Sequence, residues 1–119
     1  NTWLELRARD GALATLIGAQ FDMTVVGEAE NGRDALEKVR NLRPDLVVMD
    51  VMMPRMNGIE ACRALRQHEA TRLIPVILIT TRGEEEYVAQ GFAAGCNDYV
   101  TKPVNATELV AKVRALLGE

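Results

Sequence analysis

Cysteine, aromatic residues and clustered positive charge are all scarce in this chain of 119 residues. Its two cysteines, Cys62 and Cys96, are isolated and have neither a CxxC nor a His-paired spacing, so a disulfide framework or zinc site is disfavoured and buried free thiols are expected. The one histidine, His68, sits in a polar stretch and is expected to be solvated. Nine glycines and four prolines are too few for a disordered chain. The longest nearly unbroken apolar run, Leu73 to Ile79, contains Pro75 and is far too short to span a bilayer. The amino terminus also lacks the charged-then-apolar pattern of a secretory signal. These absences favour the cytoplasm, away from any membrane. Fourteen Lys and Arg against seventeen Asp and Glu leave a net charge of −3 with the basic residues dispersed. That distribution offers no footprint for a nucleic-acid backbone, so direct DNA or RNA binding is not expected.

What is present is an ordinary globular composition, 48% hydrophobic and 26% charged, at a length that suits one compact domain over residues 1–119. No repeat, linker or low-complexity tract interrupts it. Short apolar runs alternate with amphipathic segments, the pattern of βαβ units around a parallel sheet. The periodicity predicts strands at Thr2–Leu6, Met23–Gly27, Asp45–Asp50, Pro75–Thr80 and Asp98–Thr101. Between them, Ala35, Leu36, Val39 and Leu42 form one helical stripe and Ile59, Cys62 and Leu65 another, both expected to face the sheet. Asn105 followed by Glu108 reads as a capping box that opens a last helix, with Leu109, Val110, Val113, Leu116 and Leu117 as its packing face and Gly118 as its end. Glu84, Glu85 and Glu86 begin the helix before it, where acids complement the helix dipole. Five strands alternating with five helices through right-handed crossovers give an α/β fold, a doubly wound parallel sheet with helices on both faces.

Chemistry gathers at one edge of that sheet. Asp50 closes the third strand, Leu46-Val47-Val48-Met49-Asp50, and is followed by a turn rich in Pro, Asn and Gly. Open α/β sheets place their ligands outside the carboxyl ends of the strands. Thr80 closes the fourth strand and Lys102-Pro103 follows the fifth. A carboxylate, a hydroxyl and an ammonium converging there suit a phosphoryl group: Asp50 as acceptor, Thr80 as donor to a phosphoryl oxygen, Lys102 as compensating charge.

From about Val25 to Leu117 the chain resembles the receiver domains of two-component response regulators. The resemblance rests on Gly27-Glu28-Ala29-Glu30-Asn31-Gly32 with Ala35-Leu36, and on Pro44-Asp45-Leu46-Val47-Val48-Met49-Asp50. It continues through Met53-Pro54 with Asn57-Gly58, Ile74-Pro75-Val76-Ile77 with Thr80, Gly95, and Asp98-Tyr99-Val100-Thr101-Lys102-Pro103. It implies a flavodoxin-like strand order of 2-1-3-4-5. It also implies that Asp50 accepts a phosphoryl group from a phosphohistidine on a histidine kinase or phosphotransfer protein, with help from Mg²⁺. Thr80 would turn toward the phosphoryl group, Tyr99 would rotate inward behind it and Lys102 would pair with the new charge. The face built from the fourth and fifth helices and the last strand would then bind a downstream protein or output domain. The family's bond before Pro103 is usually cis, an isomer confined almost entirely to X-Pro.

The first strand region, residues 1–7, is atypical. Receiver domains end that strand with two adjacent acids, and the matching register puts Leu4 and Glu5 there. Mg²⁺ would therefore be held by Glu5, Asp50 and the backbone carbonyl of Met52, a reduced set; an exposed acid at a strand end is an equal reading of Glu5. Asp10 lies too far along to replace the missing acid. The family tunes its acyl-phosphate lifetime at the positions of Met52 and Arg82, and an apolar Met52 implies slow self-dephosphorylation. Thr81, where receivers prefer a small residue, would narrow the entry for small phosphodonors or simply be tolerated. The resulting expectation is a phosphorylatable switch rather than an enzyme. The alternative is a phosphorylation-independent pseudo-receiver acting as an interaction module, motivated by Leu4. A phosphohydrolase using Asp50 as nucleophile is a third reading, disfavoured because Met52 stands where a second acid would serve general acid–base work.

Overall fold

The computed structural model describes residues 2–6, 24–29, 31–52, 56–81 and 85–118, with residues 2–6, 24–28 and 85 described through their backbone alone. Strand β1 (Thr2–Leu6) is followed by β2 (Thr24–Ala29), helix α1 (Gly32–Leu42), β3 (Val47–Asp50), α2 (Gly58–Arg66), β4 (Val76–Thr81), α3 (Glu85–Ala94), β5 (Asp98–Lys102) and α4 (Ala106–Leu117). The strands form one sheet in the order β2-β1-β3-β4-β5, and each neighbouring pair is parallel. The helix expected between β1 and β2 lies outside the described residues, so the helices expected as fourth and fifth are α3 and α4.

Alternation along β3 and β4 sends their side chains to two separate cores, which is what a sheet covered on both faces requires. Val47, Met49, Val76 and Leu78 pack with Ala35 and Val39 of α1, with Ile59, Cys62 and Leu65 of α2, and with Ala94 of α3. Val48, Ile77 and Ile79 point the other way, against Leu109 and Val113 of α4. The strands that carry the site are thus clamped between helices, and their carboxyl ends are fixed relative to one another.

Strand limits differ from the periodicity by one or two residues. β3 starts at Val47 rather than Asp45, and β4 at Val76 rather than Pro75, because proline has no N–H to give the ladder; its carbonyl instead accepts from Val47 N at 2.9 Å. β2 runs Thr24–Ala29 rather than Met23–Gly27, and β5 reaches Lys102. β1 occupies the expected span, but its pairing with β2 shifts register between Trp3 and Glu5, an irregularity that matches the atypical composition there. Leu42 is corrected: it is 45% exposed, because the helix ends there and Arg43 turns away in the left-handed conformation at φ 45°. The complete capping box forms at Asn57 with Glu60, ahead of α2. At Asn105 the side chain accepts from Glu108 N at 2.9 Å. Gly118 ends α4 at φ 78°, as its position implied. α3 begins at Glu85, and Glu84 lies outside the described residues. Among the described residues no helix is long and apolar enough to cross a membrane.

Candidate functional site

Three strand ends meet at staggered heights, and the stagger explains which side chains touch. Asp50 pairs with Ile79 across β3 and β4, and Ile79 with Val100 across β4 and β5. Thr80 therefore stands one residue beyond the level of Asp50, and Lys102 two. At about 3.3 Å of rise per residue that offset is roughly 7 Å, within reach of a lysine side chain bending back. Lys102 Nζ lies 3.6 Å from Asp50 Oδ1, an ion pair rather than a hydrogen bond. The partners differ in solvation: the Asp50 side chain is 8% exposed and that of Lys102 44%. Thr80, next to Ile79 near the end of β4, is buried, whereas Thr81, one residue on, is exposed. The Lys102-Pro103 bond is cis, the isomer that the resemblance implied.

The backbone beyond Asp50 is held closely. Val51 N donates to Ile79 O at 2.9 Å and Gly58 N donates to Val51 O at 2.8 Å, folding the loop back on the strand end. Asn57 caps α2, its side chain accepting from Glu60 N at 2.8 Å. Gly58 is required by proximity: a Cβ there would stand 2.4 Å from Asp50 O. Gly32, at the start of α1, likewise receives the far side of the loop, since its Cβ would lie 2.0 Å from Met56 O. Two glycines from different elements thus admit the backbone of Asp50 and of Met56 at close range.

Tyr99 lies half-buried on the edge strand β5. Its ring meets Phe92 of α3 in a T-shaped contact, with centroids 6.1 Å apart, and carries the Lys112 ammonium of α4 over it at 5.0 Å. Neither partner stood out in the sequence, because both contacts join separate elements and no local spacing reports them. His68 is exposed as expected, but it also meets the Arg40 side chain.

Both cysteines are buried and free. Burial pushes the Cys62 thiol upward and that of Cys96 up to about 12, so both stay protonated and unreactive near neutrality. No group of three or more His, Cys, Asp or Glu side chains that could hold a metal forms among the described residues. The Asp50 carboxylate stands at the strand edge, and Met52, whose carbonyl the resemblance implies as a second donor, is 61% exposed to solvent. One carboxylate and one carbonyl beside open water suit Mg²⁺, which keeps several of its waters, and would not suit a metal that needs a closed protein cage. On β1, Leu4 pairs with Val47 and Glu5 with Val48, two positions before Asp50. The side chains of Leu4 and Glu5 lie outside the described residues, as do Asp10 and Arg82 altogether.

Residues 8–114 match the family described as the response regulator receiver domain. The DNA-binding response regulator MtrA of Mycobacterium tuberculosis is 42% identical over 113 residues, which cover 91% of this chain and 47% of that protein. The chain spans 37% to 48% of the length of the curated relatives it matches. Among solved structures, the response regulator domain of Thermotoga maritima CheB superposes with a TM-score of 0.84 at 30% identity, covering 99% of this chain and 96% of that one. The receiver domain of the Pseudomonas aeruginosa sensor histidine kinase PA1611, which has a magnesium ion coordinated in its active-site cleft, gives 0.82 at 26% identity and covers 98% of each chain.

Proposed function

This chain belongs to the response regulator receiver domain family, and on that premise we propose that it is switched by a phosphoryl group carried on Asp50. The observation that carries the reading is the buried Asp50 carboxylate at a strand end, 3.6 Å from Lys102, with Thr80 buried near the end of the neighbouring strand. A phosphohistidine on a histidine kinase or phosphotransfer protein presents its phosphorus to a carboxylate oxygen of Asp50. The new O–P bond forms as the P–N bond breaks, and the imidazole leaves to take up a proton from solvent. Thr80 Oγ donates to one phosphoryl oxygen, and Lys102, already facing the carboxylate, balances the added charge. Asp50, the Met52 carbonyl and Glu5 would hold Mg²⁺, which would supply charge neutralisation at the phosphoryl oxygens.

The output follows as a population shift. Pairing of Lys102 and Thr80 with the phosphoryl group favours an inward Tyr99, which alters the face of α3, β5 and α4 that meets a downstream protein or output domain. The family supports this phosphorylation-dependent reading, and the comparisons lend nothing to the pseudo-receiver alternative. Receivers are phosphoacceptor switches rather than conventional enzymes. MtrA is named as DNA-binding, and more than half of that protein lies outside the match. The proposal that no nucleic acid is contacted directly therefore concerns residues 1–119 alone, as does the proposal of a cytoplasmic setting.

The direct test is intact-mass spectrometry after incubation with phosphoramidate, with Mg²⁺ or with a chelator. One added phosphoryl group that requires Mg²⁺ is the expected result. No adduct on a folded protein, beside a control receiver that does react, would overturn the reading. The adduct is also expected to be long-lived, because the exposed thioether of Met52 beside the site has no oxygen with which to orient an attacking water. A chase that loses the label within seconds would contradict this.

A further inference from the structure

We propose that Lys112 is a positioning residue that clasps Tyr99 in the half-buried place it holds here on β5 and opposes the phosphorylated state; this rests on the roles proposed above for Asp50 and Tyr99. Lys112 sits on α4 next to Val113 and one turn after Leu109, both fully buried, so its stem leaves a fixed part of the helix. Its ammonium serves three partners at once. It donates to Tyr99 O at 2.5 Å, pairs with Asp98 Oδ1 at 3.4 Å and stands 5.0 Å above the Tyr99 ring. An ammonium has three N–H donors and no acceptor, so these contacts are compatible. Asp98 Oδ1 in turn accepts from Tyr99 N at 2.8 Å. Both backbone groups of Tyr99 are thus held by an acid and a base that also hold each other.

The ring is held as firmly as its backbone. A cation from α4 lies over it, and the Phe92 ring from α3 packs against it at an interplanar angle of 88°. An inward swing of Tyr99 must leave both contacts. The side chains of Lys112 and Asp98 are only 26% and 33% exposed, so solvent screens the cluster in part and not fully. Whatever stabilises the ring in this place opposes the phosphorylated state by the same factor, because the two equilibria are linked. Releasing the clasp should therefore move the resting protein toward its switched form without touching Asp50, Thr80 or Lys102.

The test uses 3-fluorotyrosine and ¹⁹F NMR in a Tyr87→Phe background, which leaves Tyr99 as the single reporter of the two tyrosines. Wild type with Mg²⁺ and beryllofluoride, a stable mimic of the acyl phosphate, defines the switched resonance. Lys112→Met keeps the stem and removes the charge. Without beryllofluoride it is expected to shift the Tyr99 resonance toward the switched position, raising that population roughly three- to tenfold and tightening beryllofluoride binding by a similar factor. Lys112→Arg, which retains a cation able to lie over the ring and pair with Asp98, should stay at the wild-type position. A Tyr99 resonance unmoved in Lys112→Met, or moved equally in Lys112→Arg, would overturn the clasp. Failure of beryllofluoride to move the wild-type resonance would instead count against the roles of Asp50 and Tyr99, and the Met variant would still report whether Lys112 holds the ring.

Discussion

Asp50→Asn is expected to abolish phosphoryl uptake while leaving the protein folded. An amide oxygen is a far weaker nucleophile than a carboxylate and cannot form the acyl phosphate, so labelling by phosphoramidate should fall more than about a thousandfold, below detection. The effect on folding should be small for a separate reason. Asp50 is 6% exposed and faces a lysine whose side chain remains 44% exposed. Substitution removes the cost of burying a charge together with the attraction to Lys102, which stays solvated on its own. These opposing contributions should leave stability within about 1 kcal/mol of the parent. Mass spectrometry and urea unfolding on the same preparation separate the two quantities. Residual uptake at Asp50→Asn would mean that another residue accepts the phosphoryl group.

Gly58→Ala should act in the opposite way, through the fold. The added methyl would stand 2.4 Å from Asp50 O, 3.0 Å from Asp50 C and 3.1 Å from Val51 Cα, all backbone atoms of the strand end. A side-chain tip could swing aside, but a ladder held by Val51 N to Ile79 O and by Gly58 N to Val51 O cannot do so cheaply. Alanine's better helix propensity at the first position of α2 recovers at most about 1 kcal/mol. A net loss of about 3 kcal/mol is expected, lowering the melting temperature by roughly 10 °C or more. Whatever fraction stays folded should label slowly, since the relief of the clash moves Asp50, the proposed acceptor. A melting temperature within about 1 °C of the parent would show that the loop has a second path.

The places of Asp50, Thr80 and Lys102 at or beside strand ends were legible in the chain because they are local facts. Asp50, Thr80 and Lys102 each close an apolar run, and a parallel sheet puts the ends of such runs on one edge. The buried stripe of α2 was equally plain, since Ile59, Cys62 and Leu65 recur at helical spacing and all are buried. Leu42 broke the same rule, because periodicity does not report where a helix stops, and the left-handed Arg43 stops it there. The start of β4 moved from Pro75 to Val76 for a reason equally hidden from hydropathy, namely that a ring nitrogen has no hydrogen to donate.

The alternation of apolar runs and amphipathic segments by itself determined a parallel α/β domain and the edge on which its polar groups collect. Strand and helix periods are short-range, so a chain read in order carries them. Only the tertiary structure decided that Lys102, two residues above the level of Asp50, bends back to within 3.6 Å of it. It alone decided that Gly32 of α1 lies against Met56, and that Tyr99 contacts both Phe92 and Lys112. Those contacts join residues 7 to 52 positions apart in the numbering of the chain. They depend on strand register and on how helices settle over the sheet, quantities set by the summed packing of two cores and by no single stretch of sequence.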